Sequence, residues 1–334
     1  MKFKKILITG GAGYVGTMLT ENLLNIGYEV DIYDTFYFGK DHLPTNNNNL
    51  RLIDGDIRNT ELFATACNNI DVVIHLACIS NDPSFELNEN LSKTINYDCF
   101  EPMVLAAKQK KVKRFIYASS SSVYGISSQD NVTEEHPLVP LTLYNKFKGM
   151  CEPLLIKHLD DSFNGVVIRP ATICGYSNRC RLDLSVNILT NLAVNNKRIT
   201  VFGGEQKRPN LNIKDMCRLY ELLLEVDDEP IQKQTFNVGY QNNKIIDLAK
   251  IVKNVVEKKM GFKDINIEVT KSDDNRSYHI NSNKIDRILG FKPIYTIEDA
   301  VESLCNAFES GLLKGSLTDS IYSNVKTMQK LNVE

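Results

Sequence analysis

No apolar run in the 334-residue chain approaches the ~20 residues that cross a bilayer, so no membrane span is expected. Basic residues are not in excess either: 39 Lys and Arg stand against 41 Asp and Glu, for a formal net charge of −2. General nucleic-acid binding needs a cationic surplus to displace counterions, so that class is excluded, although local basic sites for a diphosphate are not. Paired cysteines are missing too. Cys67, Cys78, Cys99, Cys151, Cys174, Cys180, Cys217 and Cys305 show no CxxC spacing, and the closest pair, Cys174 and Cys180, has no histidine nearby. They read as reduced thiols that behave as small hydrophobes, with no metal expected. The opening MKFKKILITGG lacks a long apolar core and a small-residue cleavage site. A secretory leader is therefore not expected, and the cytoplasm is the expected location.

What is present is a hydrophobic content of 43%, enough to build a large core in a chain longer than one average domain. Strand-like runs at Lys5–Thr9, Glu29–Tyr33, Leu50–Asp54, Val72–Leu76, Arg114–Ala118 and Val166–Arg169 alternate with helical spacing at Val15–Ile26, Thr60–Asn68 and Asn96–Lys110. That alternation predicts an α/β fold, a doubly wound parallel sheet with helices on both faces. Beyond Arg169-Pro170 the rhythm weakens. A helix at Asp183–Asn195, a strand at Ile199–Phe202, a helix at Ile245–Lys258, a strand at Ile265–Val269 and a helix at Ile297–Glu309 are expected there. Residues 1–170 plus about 208–240 are assigned to a large cofactor domain, and about 171–207 plus 241–334 to a smaller α/β substrate domain.

The first strand runs into Gly10-Gly11-Ala12-Gly13-Tyr14-Val15-Gly16 and then into a helical pattern. A turn that binds a dinucleotide must be tight, must let backbone N–H groups approach a pyrophosphate, and must pack the helix close to the strand. Gly10, Gly13 and Gly16 meet those demands, and the helix N-terminus adds positive potential. Asp34 ends the second strand about twenty residues on, where a carboxylate accepts the ribose hydroxyls of NAD and repels the 2′-phosphate of NADP. Thr35, Phe36 and Tyr37 bring no arginine to neutralise such a phosphate, so NAD is the expected cofactor. Asp56 and Ile57, after the third strand, are expected to flank the adenine.

Tyr144 and Lys148 lie four residues apart, on one face of a helix. The same spacing recurs by chance at Tyr240 and Lys244. Only Tyr144 follows, by 24 residues, a serine at the end of a strand: Ser120, after Arg114–Ala118. Oxidising an alcohol requires loss of its proton as hydride leaves its carbon. A tyrosine with its pKa lowered by about three units, at a cost of roughly 4 kcal/mol, can take that proton. A lysine ammonium and a positive nicotinamide supply that shift, and Ser120 holds the oxygen in line.

TGGAGYVG, GDI, IHLA, YASSSSVYG, YNKFK and the run Arg169–Gly175 together resemble the extended short-chain dehydrogenase/reductases, in the nucleotide-sugar epimerase/dehydratase branch that includes UDP-galactose 4-epimerase. The resemblance covers nearly the whole chain and implies a Rossmann domain, NAD, a nucleotide-sugar substrate and a homodimer. It implies catalysis by Ser120, Tyr144 and Lys148. Tyr14, Val15, Leu76, Ala77, Asn96 (at the start of the helix after IHLA) and Lys148 join the cofactor contacts. Ser121, Thr172, Arg208, Lys271, Asp274 and Arg276 are implied to bind substrate, Arg208 through the nucleotide diphosphate. Relatives that are 4,6-dehydratases carry Asp-Glu where this chain has Ser121-Ser122, and hydroxyls do not replace those carboxyl groups. The expected reaction is 4-epimerisation through a 4-keto sugar. A net 4-dehydrogenase or 4-keto reductase is the first alternative, and a silent NAD-sensing protein on the same fold the second.

Overall fold

The computed structural model describes residues 1–127, 129, 131–271 and 277–331. Its strands are β1 (Lys5–Thr9), β2 (Glu29–Asp34), β3 (Leu50–Asp54), β4 (Val72–His75), β5 (Arg114–Ala118), β6 (Asn164–Pro170), β7 (Thr172–Cys174), β8 (Arg198–Phe202), β9 (Lys207–Asn212), β10 (Gln234–Val238), β11 (Gln241–Lys244) and β12 (Asn266–Thr270). Seven of them form one parallel sheet in the order β3-β2-β1-β4-β5-β6-β10. This is the doubly wound architecture that the strand–helix alternation predicts.

The inner strands are apolar on both faces. Ile6 and Ile8 of β1 enter one core while Leu7 enters the other, and Val166 and Ile168 of β6 likewise oppose Val167. The two-residue period of a strand places neighbours on opposite faces, and a parallel sheet buries both. Strand order reverses between β1 and β4, so the chain leaves their carboxyl ends in opposite directions and opens a crevice there.

The remaining strands make smaller sheets, β11-β9-β7 and β12-β8. Helices Ser185–Asn196, Ile245–Met260 and Ile297–Glu309 pack around a third core that includes Val201, Leu248, Val252 and Val301. A last helix, Asn324–Leu331, returns to the large sheet and buries Met328 in its core. Among the described residues no helix is long and apolar enough to cross a membrane. All eight cysteines are free thiols.

One expected helix is replaced. In place of a continuous helix over 96–110, helices Asp82–Glu86 and Glu89–Lys93 lead into a π-helical turn, Thr94–Asp98, and the long helix runs only from Phe100 to Gln109. Asn96 thus sits inside the turn and not at a helix start. Its Oδ1 accepts the Ile79 amide at 2.8 Å and its Nδ2 donates to the Ile79 carbonyl at 2.9 Å, which ties the loop after β4 to the turn.

The crevice depends on two backbones meeting. Gly10 has φ +72°, and a Cβ there would lie 2.6 Å from the Ala77 nitrogen. Gly10→Ala combines left-handed strain with a backbone clash and is expected to cost about 2 kcal/mol or more, read as a lower denaturant midpoint.

Candidate active site

A cavity of about 390 Å³ follows the crevice from the end of β2 to the start of helix Leu143–Ile156. At one end the glycine turn lines it through Gly10, Gly13, Tyr14, Val15 and Gly16. Gly13 caps helix Tyr14–Ile26 with no side-chain acceptor, and no acidic residue occupies the first turn. The helix N-terminus is thereby left to an anion from outside. A Cβ on Gly16 would lie 2.6 Å from the Gly11 Cα, so the helix start packs directly on the turn.

Asp34 lines the same end and also braces it. Its carboxylate accepts the Ala12 amide at 3.0 Å and the Phe36 amide at 2.8 Å. Burial pushes the Asp34 carboxyl up, against the opposing pull of those amides and of Arg179. Asp56, Ile57, Leu76 and Ala77 line the cavity as well. Asn96 is buried and is not among the lining residues; it acts on the cavity through the Ile79 backbone.

The other end holds Ser120, Ser121, Tyr144, Lys148 and Thr172. Thr142 starts the helix by accepting the Asn145 amide, which presents Tyr144 in the first turn and Lys148 one turn later. Lys148 is 3% exposed, and its ammonium donates to the Ala118 carbonyl at 2.7 Å. Ser120 Oγ lies 2.6 Å from Ser122 Oγ, and Ser122 in turn donates to Asn145. Burial pushes the Tyr144 phenol well above its usual range; Cys78 and Asp82 push the same way and Arg181 opposes them. The chain's own groups therefore leave this phenol protonated at neutral pH.

A buried ion pair fixes this end. Arg169 of β6 binds Glu152 of helix Leu143–Ile156 at 2.5 and 3.0 Å, and Ser119 donates to the same carboxylate at 2.6 Å. Arg169 also reaches the Tyr124 hydroxyl at 2.6 Å. The turn bearing Ser120, the helix bearing Tyr144 and the sheet are thus held by one network.

Arg208 and Lys271 are not among the lining residues. The Arg208 guanidinium stacks 4.8 Å from the ring of Tyr278, which does line the cavity, and Lys271 is exposed. Asp274 and Arg276 lie outside the described residues. Sequence reasoning missed Arg179, Arg181, Asn324 and Met328, all of which line the cavity. Two arginines alternating over five residues in SNRCR were the available signal, but nothing local tied them to the glycine turn. Among the described residues no group of three or more His, Cys, Asp or Glu could hold a metal.

The model of the NAD dependent epimerase/dehydratase family matches residues 6–239. The chain belongs to that family. Its cofactor is NAD, and the unblocked helix start and the carboxylate at Asp34 fit a dinucleotide. The chain is similar to the UDP-glucose 4-epimerase of Lactobacillus helveticus, 26% identical over 325 residues that cover 89% of this chain and 94% of that protein. It is equally similar to UDP-glucuronic acid decarboxylase 1 of Xenopus tropicalis, 26% identical over 325 residues, covering 92% and 73% of the two chains. Among solved structures, a UDP-N-acetylglucosamine 4-epimerase from Methanobrevibacter ruminantium in complex with UDP-N-acetylmuramic acid shares the fold. It has a TM-score of 0.83 and 23% identity over 93% of this chain and all of that one.

For a family member with this geometry, Asp34→Ala removes both the carboxylate expected to meet the ribose and the brace on the turn. NAD affinity is expected to fall about tenfold or more while NADP affinity falls less or rises, measured by titration calorimetry. Equal loss for both would contradict a ribose contact.

Proposed function

We propose that the chain is an NAD-dependent nucleotide-sugar 4-epimerase working through a transient 4-keto sugar. The observation that carries this reading is the make-up of the turn after β5. Ser120 is followed by Ser121 and Ser122, which line the same cavity as Tyr144 and Lys148. The turn offers hydroxyls to a sugar oxygen and no carboxyl group to remove a proton from C5, as a 4,6-elimination requires. The similarity to a UDP-glucose 4-epimerase supports the same reading.

In this reading residues 1–170 with about 208–240 hold the dinucleotide, and about 171–207 with 241–334 hold the nucleotide sugar. Gly10, Gly13, Tyr14 and Val15 receive the diphosphate, Asp34 the ribose, and Asp56 and Ile57 the adenine, while Leu76, Ala77 and Lys148 border the rest of the dinucleotide. Asn96 serves through the loop it pins. Bound NAD supplies a reversible acceptor for the hydrogen on the sugar's C4. Tyr144 takes the 4-hydroxyl proton as that carbon becomes a carbonyl and returns it when the alcohol re-forms. Ser120 hydrogen-bonds the same oxygen. Because burial raises the phenol's proton affinity, nearby positive charge must lower it before Tyr144 acts as a base; Arg181 already pulls in that direction. Ser121 and Thr172 contact the sugar, and Arg208, Lys271, Asp274 and Arg276 the nucleotide.

The test is a panel of nucleotide sugars incubated with the purified protein, with no nicotinamide cofactor added, and followed by NMR. The expected result is catalytic conversion of one sugar to its C4 epimer, and no conversion by Tyr144→Phe that still retains NAD. Turnover only after NAD or NADH is supplied would replace the epimerase with a net 4-dehydrogenase or 4-keto reductase. Carbon dioxide from a uronic acid would replace it with a decarboxylase.

A further inference from the structure

Arg179 is 3% exposed, yet no described carboxylate forms an ion pair with it. Its Nη2 donates to Asn324 Oδ1 at 2.6 Å, its guanidinium lies 4.0 Å from the Phe38 ring centroid, and its Nε has no hydrogen-bond partner. Arg181, two residues on, is satisfied by contrast. It binds both oxygens of Asp183 at 2.9 and 3.1 Å and reaches Ser80 at 3.2 Å. Burial and the charge of Arg181 push the Arg179 guanidinium down to about 9. A buried cation that no carboxylate touches is only partly offset by the more distant charges of Asp183 and Asp34, and an anion entering the cavity relieves it further.

The position of Arg179 says which anion. The Tyr14 hydroxyl, in the first turn of the helix after the glycines, donates to the Gly175 carbonyl at 2.5 Å and accepts from Asn187 at 3.1 Å. That contact docks the segment carrying Arg179 beside the helix start. Arg179 lines the same cavity as Gly13 and Asp34, and its guanidinium lies over the ring of Phe38, four residues after Asp34, which places it at the glycine-turn end of the cleft. Asn324 sets its orientation. The asparagine amide nitrogen donates to Ser80 at 2.7 Å, its backbone N–H donates to Asp183 at 3.0 Å, and its side-chain oxygen is left for Arg179.

We propose that Arg179 clamps the diphosphate of the bound dinucleotide against the glycine turn, with Asn324 as the positioning residue that holds the clamp. A guanidinium matches a phosphate with two parallel hydrogen bonds, which the backbone amides of the turn alone do not supply. The clamp rests on the family's cofactor and not on the sugar chemistry, and its test reads binding with no sugar turnover.

The chain, freed of nucleotide, is titrated with ADP-ribose, NAD, NADP and UDP. Arg179→Gln is expected to weaken ADP-ribose and NAD together by about ten- to hundredfold and to leave UDP unchanged. The melting temperature without nucleotide is expected to stay level or rise, because an unpaired buried cation has gone. Arg179→Lys, which keeps the charge but not the fork, and Asn324→Ala, which keeps the guanidinium but not its orientation, fall between wild type and Arg179→Gln. Unchanged ADP-ribose affinity in Arg179→Gln overturns the clamp. A loss confined to NADP would assign Arg179 to a 2′-phosphate instead, and one confined to UDP to the substrate. A lower melting temperature with ADP-ribose affinity retained would make it a purely structural cation.

Discussion

The close approach of two chain segments at the carboxyl ends of β1 and β4 is the constraint on which the site depends. Gly10 turns against Ala77 with no space for a side chain, and the two segments then part in opposite directions. The separation creates the crevice, and the tightness of the contact puts the helix start at its floor. Asp34 accepts the Ala12 amide and so fixes the turn that the contact creates. A looser turn would misplace the helix amides and the carboxylate together, because one short stretch of backbone determines both.

The far end of the crevice is held differently. No glycine contact sets it; a buried ion pair does. Arg169 and Glu152 join β6 to the helix that carries Tyr144 and Lys148, and Ser119 joins the serine turn to the same carboxylate. Removing one partner of such a pair leaves a buried charge unsatisfied and typically costs about 3–5 kcal/mol. The groups assigned to proton transfer therefore stand on a rigid frame, which suits chemistry that needs atoms in line. Burial of Tyr144 has a second effect. It raises the proton affinity of the phenol, so the surroundings of Tyr144 favour its protonated form.

Much of the fold was legible because local rules carried it. The apolar runs of β1, β4 and β5 and the glycine turn state their structure within a few residues. The three-stranded sheet was not legible. Its strands read TIC, KRPNLN and QNNK, the first too short and the others too polar for an alternating pattern, and only pairing among them makes them strands. Arg179 and Asn324 escaped for a related reason. Each is ordinary in its own neighbourhood, and their meeting beside Ser80 depends on the return of the tail helix to the large sheet. Charge balance across a cavity is a property of the folded chain, and periodicity does not reveal it.

The central claim is that oxidation and reduction occur at one carbon, with no proton lost from its neighbours. Turnover in D₂O tests it most directly, with the sugar followed by NMR and mass spectrometry. The account predicts an epimerised product that keeps protium at C4 and gains no deuterium at C3 or C5. Deuterium at C5 would contradict it, because it would reveal proton removal by a group that the hydroxyl-lined turn after β5 does not provide.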